Sequence, residues 1–550
     1  MNAWLVHLPV LPVVSPLFAG AAMLLVPESR RVRAALGICS VLIQLAAAIA
    51  LLWLTTDAVR DIWSQGIGVY SIGKWPAPFG IVLVVDRLSA LMLLLTATVA
   101  LASLIYSLAR WDRVGVHFHP LFQLLLMGVN GSFLTGDLFN LFVFVEVLLA
   151  ASYGLLLHGS GAVRVKAGLH YIIINLVASL LFLIGVALIY GVAGTLNMAD
   201  LGPRAAQLAQ ADRGLFDIGA TILGIAFLIK AASWPLNFWL PIAYSAAGAP
   251  VAAVFALLTK VGVYAIIRVG ALLNESGVHG PFGSDWLFFS GIATIFFGLV
   301  GMLAAQQLAR LVAFSVIVST GTLLAATGLD PDVLVAPALF YLVNSVLASG
   351  AFFMLTGLTE RTRTHFSESS DPAPLAAASY TAFGMEDSHD PLDVEDEVGV
   401  AIPAAMAFLG LSFVCCALLV AGLPPLSGFV AKFALLSAAV SVADQAQIAT
   451  QSWVFVAAML ATGLAAIIAL ARIGMRLFWS VVGRTTPRLR VIEVGPVAVL
   501  VLLCIGLTIA ADPVMTFLKA AGEGISSPQT YIDAVLSAGA AESVAQEAAP

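Results

Sequence analysis

Glu146, Lys230, Lys260 and Lys432 stand in stretches that otherwise read as hydrocarbon: LFVFVEVLLAASYGLLL, TILGIAFLIKAASW, VAAVFALLTKVGVYAII and LSGFVAKFALLSAAV. An ionised side chain at the centre of a bilayer costs about 2.5 to 3.5 kcal/mol on the mildest insertion scale, so such groups face a bundle interior or a hydrated path. A desolvated lysine releases its proton more readily, and a nearby carboxylate makes it hold on. Moving one charge against the other therefore makes a proton carrier. Glu146 and Lys230 are the expected pair. The competing reading is a static ion pair that keeps two helices in register. Three lysines face one obvious acid within the apolar runs, and that imbalance suits a relay better than a staple.

Softer groups stand where they can bridge these stations. Tyr171, Asn175 and Ser179 recur at i, i+4 and i+8, as do Tyr341, Ser345 and Ser349, with Asn344 adjoining; each triplet lies on one helix face. Tyr264 follows Lys260 by one turn. Interhelical hydrogen bonding explains each of these as readily as water conduction does. Arg268 is expected to snorkel to the aqueous boundary. Asp137 reads as a helix cap, and His158 and His170 as satisfied interfacial histidines.

The composition excludes several other chemistries. Of 550 residues, 61% are hydrophobic and 10% charged, with mean hydropathy +1.02, far from the roughly 45–50% apolar and 25% charged of soluble chains. The chain reads as an all-α polytopic membrane protein whose immediate partner is the lipid bilayer. No nucleic-acid partner is suggested. Cys39, Cys415, Cys416 and Cys504 lie in apolar segments without a metal-binding spacing and read as small buried hydrophobes. No nucleotide, dinucleotide or zinc-protease motif occurs in its required context, so no metal or catalytic residue is expected. Energy must come from ion gradients or partner subunits.

Hydrophobic runs of sufficient length give fourteen spans between residues 4 and 512. Alternate loops differ in charge. One set holds Arg30, Arg31, Arg33, Arg110, Arg113, Arg164, Lys166, Arg310, Arg361, Arg363, Arg484, Arg488 and Arg490; the other holds Arg60, Lys74, Arg204, Arg213 and Lys519. The positive-inside rule places the first set in the cytoplasm and both termini outside. Residues 359–398 read as a polar cytoplasmic loop, and the tail from about 513 as external with a short amphipathic TYIDAVL piece.

Two spans are too interrupted to be plain helices. The seventh (216–246) carries Pro235 and Pro241, which should free the carbonyls of Ala231 and Asn237; the twelfth (400–443) carries Gly422, Pro424, Pro425 and Gly428. Broken backbone at membrane depth is tolerated where it is buried in protein or lines a cavity. Paired interruptions in two halves also point to a transport site built from inverted repeats. A weak echo agrees: Tyr171/Tyr341, Ala178/Ala348, Ser179/Ser349 and Phe182/Phe352 match at one offset.

Lys230 with Pro235 and Pro241, TKVGVYAIIR around Lys260 and GLPPLSGFVAKF around Lys432 resemble the proton-conducting antiporter-like subunits shared by respiratory complex I and the multisubunit Mrp cation/proton antiporters. The likeness runs from about residue 85 to 480. The segments GVAIPAAMAFLGLSFVCCALLVAGLPPLSGFVAKFALLSA, YLVNSVLASGAFF and LFNLFVFVEVLLAASYGLL are similar to the D-type member of the Mrp complex in particular. The resemblance implies fourteen helices, two inverted five-helix repeats and no cofactor. It also implies proton translocation through Glu146, Lys230, Lys260 and Lys432, and assembly with other membrane subunits of an Mrp-type complex that exchange Na+, Li+ or K+ for H+. The chain departs from the family in its tenth and eleventh spans. Where many relatives carry titratable histidine or lysine, it has Ser319, Thr320 and Gly321, then Asn344 and Ser349.

The expected division is 1–110 for helices 1–3, 111–280 for the first repeat, 281–480 for the second, and 481–550 for the last helix and tail. The expected function is secondary transport in a prokaryotic cell membrane: a proton-translocating subunit of a multisubunit Na+(Li+/K+)/H+ antiporter. The alternative is a proton-pumping membrane subunit of a complex I-like quinone oxidoreductase or membrane-bound hydrogenase. A pure scaffold role is a third reading.

Overall fold

The computed structural model describes residues 3–25, 29–56, 63–115, 117–274, 283–369, 404–443, 449–479 and 489–547. The first half comprises α1 (Leu11–Leu25), α2 (Arg30–Leu54), α3 (Arg87–Ser107), α4 (Phe118–Leu134), α5 (Leu138–Leu157), α6 (Ala162–Ala193), the broken pair α7 (Gln210–Lys230) and α8 (Trp239–Ala246), and α9 (Ala249–Asn274). The second half follows with α10 (Ser284–Ala304), α11 (Leu308–Leu329), α12 (Pro331–Ser369), the broken pair α13 (Ala404–Ala421) and α14 (Ser427–Val442), α15 (Ala449–Gly474) and α16 (Val491–Ile509). Two tail helices close the chain, α17 (Ala511–Ser526) and α18 (Gln529–Glu547).

Helix covers each of the fourteen expected runs, and both interrupted spans break where their prolines lie. Among the described residues, twelve helices are long and apolar enough to cross a membrane. Of the remaining two runs, α4 has 17 residues and α7 carries Asp212, Arg213 and Asp217 besides Lys230. The apolar windows of α9 and α12 are entirely buried, whereas those of α1, α13 and α16 are a third buried. The two helices that carry Lys260 and the Tyr341 triplet therefore form the axis of the bundle. Outward faces are large and apolar, as on α6 with Leu169, Ile173, Leu176 and Leu180. That inversion of soluble patterning is what lipid demands.

Alternate loops gather at opposite ends. At the basic end Arg30 holds Asp112, Arg490 donates to the Ala109 carbonyl, and Arg164 donates to the carbonyls of His158 and Ala246. At the other end stands a feature missed by the all-helical expectation, an antiparallel hairpin of β1 (Gly68–Ser71) and β2 (Val82–Val85) paired Gly68 to Val85. The run VLVV of β2 is buried at every position, so it shows no alternation by which a strand is recognised. Its Val82 carbonyl accepts from Gly136, which ties the hairpin to the turn between α4 and α5.

Three further expectations are corrected. Arg268 does not snorkel: it is buried against Asp86 at 2.6 Å and stacks over Tyr264 and Tyr531. Its charge is neutralised where it stands, so it has no reason to reach for water. The tail is more than one short amphipathic piece, since α17 and α18 dock over this end through buried Leu518, Tyr531, Ile532 and Val535. α12 runs on to Ser369, into the expected polar loop, and positions 370–398 of that loop lie outside the described residues. The expectation of four buried cysteines also fails in part: Cys39 is exposed and Cys415 half-buried, while Cys416 and Cys504 are buried.

Candidate functional site

The first half brings Glu146, Ser179 and Lys230 together. The Lys230 ammonium donates to Ser179 Oγ at 3.1 Å, Ser179 Oγ donates to Glu146 Oε1, and Lys230 Nζ stands 4.0 Å from that same oxygen. Ser179 therefore bridges acid and base. Lys230 is the last residue of α7, whose unpaired carbonyls form the negative end of the helix dipole and favour an ammonium there. The chain then turns through Ala232 at φ +57°, with Ser233 N bonded back to the Leu228 carbonyl. Pro235 occupies the non-helical link, so its missing N–H costs no ladder bond. Pro241 falls in the first turn of α8, where N–H groups lack partners anyway, and the Asn237 carbonyl is taken by Leu240 N at 3.2 Å. The expectation that Pro241 frees that carbonyl is corrected accordingly.

Glu146 is less enclosed than expected, with a third of its side chain exposed on the flank of the chain. The rest of the first triplet serves other bonds. Tyr171 OH pairs with Ser152 Oγ at 2.9 Å, and Asn175 donates to the backbone carbonyl of Tyr171 on its own helix. Tyr264 donates to the Phe133 carbonyl at 2.7 Å and so ties α9 to α4. Asp137 caps α5 by accepting from Asn140 N; burial pushes its carboxyl above the usual carboxylate range. His158 and His170 are satisfied by backbone carbonyls.

The second half builds a different environment. Lys260, wholly buried on α9, donates to Ser319 Oγ at 2.9 Å and Thr320 Oγ1 at 3.4 Å; Ser319 Oγ donates in turn to Ser345 Oγ at 2.9 Å. Ser345 opens onto a cavity of about 30 Å³ lined by Ser319, Tyr341, Asn344, Ser349, Thr462 and Lys432, among others. That volume accommodates a water molecule. Lys432 enters from α14 and donates to the Ala421 carbonyl at 3.0 Å, the last carbonyl of α13. Its ammonium thus also meets the negative end of a half-helix. Pro424 and Pro425 hold the link between the half-helices, and Ser427 at the start of α14 donates to Asn344 Oδ1 at 2.7 Å.

Gly422, at φ +77°, has no room for a side chain: a Cβ there would overlap Cδ of Lys432. Gly262 plays a corresponding part within the first half, since a Cβ would press on the backbone at Ala231 and hold α9 away from the end of α7. Among the described residues no hydrogen bond joins Lys230 to Lys260. Ser319 and Thr320 are the functional candidates that spacing did not single out. Their signal was visible only as hydroxyls at the positions where the resemblance led one to expect a titratable group.

Sequence comparison decides the family. The family model described as "NADH:quinone oxidoreductase/Mrp antiporter, TM" matches residues 135–379. The chain is 52% identical over 545 residues to the D-type subunit of a probable K(+)/H(+) antiporter of Rhizobium meliloti (strain 1021), covering 98% of this chain and 99% of the relative. The chain belongs to the family of D-type antiporter subunits. A second member, from the Na(+)/H(+) antiporter of Alkalihalophilus pseudofirmus, is 33% identical over 538 residues, covering 96% and 99%. Among solved structures, a chain of the Mrp complex from Dietzia sp. DQ12-45-1b superposes with TM-score 0.78 at 26% identity, covering 97% of this chain and all of that one. This D-type antiporter protein is a multi-pass membrane transporter component rather than an enzyme. Its matched transmembrane core takes in Glu146, Lys230 and Lys260; Lys432 lies beyond it.

Proposed function

We propose that this protein moves protons through Glu146, Lys230, Lys260 and Lys432, in exchange for K+ or Na+ carried by the assembled complex. The observation that carries the reading is the Ser179 bridge between a carboxylate and a buried ammonium inside apolar surroundings. A hydroxyl there can accept from one group while donating to the other, so a proton can shift along the bridge without either ion crossing hydrocarbon. Lys260 would hand the proton between halves, and Lys432 would take it through the hydroxyl-lined cavity by way of water. Separation of Glu146 from Lys230 would loosen the ammonium proton, and approach would tighten it.

The basic loops support an orientation with both termini outside. The paired broken helices support two repeats, 111–280 and 281–480, with helices 1–3 and the last helix as flanks. Relatives named as parts of K(+)/H(+) and Na(+)/H(+) antiporters support a monovalent cation as the exchanged ion and other membrane subunits as partners. Identity of 52% along the whole chain to such a relative favours antiport over the redox-driven pump.

The test is cation-driven proton flux in vesicles holding the assembled complex. Glu146→Gln is expected to abolish flux with the complex intact. Full flux in Glu146→Gln and Lys230→Met together would leave only the scaffold role.

A further inference from the structure

The helices that enclose Lys260 also wall a larger cavity beyond it, at the end opposite the basic loops. Its volume is about 580 Å³, and its lining includes Ile267 on α9, Thr327 on α11, Val335 and Asp332 on α12, Asp285 on α10 and Ile525 on α17. One water needs only about 10 to 15 Å³, so the cavity has room for many. Ile267 lies seven residues beyond Lys260 on α9, and Thr327 seven beyond Thr320 on α11. Seven residues make two turns, so each pair shares a helix face with its members about 10 Å apart. The cavity therefore stands in line with the ammonium of Lys260 and the hydroxyls that receive it.

A dry band separates the two. Val263 on α9 and Leu323 and Leu324 on α11 stand on the shared faces, and Leu339 lies between Val335 and Ser345 on α12; all four are buried. Tyr264, in the same stretch, turns its hydroxyl to the Phe133 carbonyl and offers no link. Apolar constrictions of this kind gate a path by shedding water. The cavity itself is acid-sided. Asp285 and Asp332 line it, no lysine or arginine does among the described residues, and Arg268 nearby on α9 is taken up by Asp86. Carboxylates at a low-dielectric mouth raise the local concentration of cations, hydronium among them. Each acid also stands in the first turn of its helix, where the dipole favours it. Helix dipoles do not account for a water-holding cavity in line with a buried ammonium.

We propose that this cavity is the aqueous mouth through which Lys260 exchanges protons with the side opposite the basic loops, across a gate formed by Val263, Leu323, Leu324 and Leu339. The inference rests on the proton-relay reading and adds a door to it. With the band dry, Lys260 is bonded only to hydroxyls of the second half; with the band wetted, water in the mouth reaches its ammonium. A band that wets only transiently keeps the buried lysine from being short-circuited to bulk water.

The assay is cation-driven proton flux in vesicles holding the whole complex, with a membrane-impermeant, positively charged thiol reagent added to one side at a time. Thr327→Cys places a thiol in the mouth, and the unaltered complex, with its four native cysteines, is the control. Reagent on the side opposite the basic loops is expected to cut maximal flux about tenfold, the low end of what a focused field does to an encounter rate. The half-saturating cation concentration should not move, and a reductant should restore flux. A raised half-saturation at unchanged maximal flux would make the cavity a cation mouth and overturn the proposal. Full flux after complete labelling, read by mass, would overturn it too and leave a lipid pocket, as would a thiol that no reagent reaches from that side. Val335→Cys takes the same test where Thr327→Cys fails to assemble. Glu146→Gln, assayed without reagent, serves as the separate control. Its retention of flux would sink the relay reading itself, whatever the labelled variants do.

Discussion

The two broken helices use one backbone device in opposite ways. In each, a half-helix ends in a left-handed residue, Ala232 in the first and Gly422 in the second, followed by an amide bonded back to the last turn and by a proline three residues on. In the first, the lysine ends the leading half-helix and is balanced by Glu146 through Ser179. In the second, the lysine sits on the trailing half-helix, reaches back to the Ala421 carbonyl and, among the described residues, has a small hydroxyl-lined cavity in place of an acid. One half holds an ion pair and the other a cation on a backbone carbonyl beside room for water. Charge state should therefore be coupled to a partner's movement in the first half and to water in the second.

Neutralising the two lysines is the sharpest way to break this comparison. Lys230→Met and Lys432→Met are both expected to remove cation-driven proton flux. Only Lys230→Met strands a carboxylate, so only it should lower stability, by about 1 to 3 kcal/mol; the lower end follows from the part exposure of Glu146. Lys432→Met removes a buried ammonium whose bond is to the Ala421 carbonyl and should leave the melting temperature of the purified complex unchanged or higher. Equal destabilisation would mean the second lysine has an acid partner after all.

Next in size is the glycine. Gly422→Ala combines a left-handed residue, worth about 1 to 2 kcal/mol, with overlap on the Lys432 stem, and should impair flux by displacing that ammonium. At the matching place Ala232→Gly should relieve strain, raising stability by up to about 1 kcal/mol without loss of flux. A thermal-shift comparison of the two variants reads the sign directly. Smallest is Ser179→Ala, expected to cost about 1 kcal/mol while slowing flux severalfold; Ser349→Ala, on the wall of the Lys432 cavity, should slow it less because water can substitute there.

Much of this architecture was legible in the residues. Runs of uninterrupted hydrophobicity mark helices that must satisfy their own backbone in lipid, and prolines and glycines at 235 and 422–425 mark the breaks because little else tolerates them. The Glu146–Lys230 pairing was legible from charge cost alone. Ser179 was visible by spacing, but spacing equally singled out Asn175 on the same face and Tyr264 one turn from Lys260, and their hydrogen bonds go to backbone carbonyls instead. A helix face says which way a side chain points and not which neighbour meets it. The hairpin, the docked tail and the burial of Arg268 were illegible for one shared reason. Each depends on segments distant in sequence covering one another, as Tyr531 covers Arg268, and no local period records such a contact.

Lys260 joins the two halves, buried on the axial helix and bonded to hydroxyls of the second. Proton flux on cation addition to vesicles holding the assembled Lys260→Met complex tests this link most directly. Loss of flux with all subunits present is expected; flux equal to the unaltered complex would show that protons do not pass between the halves through this side chain.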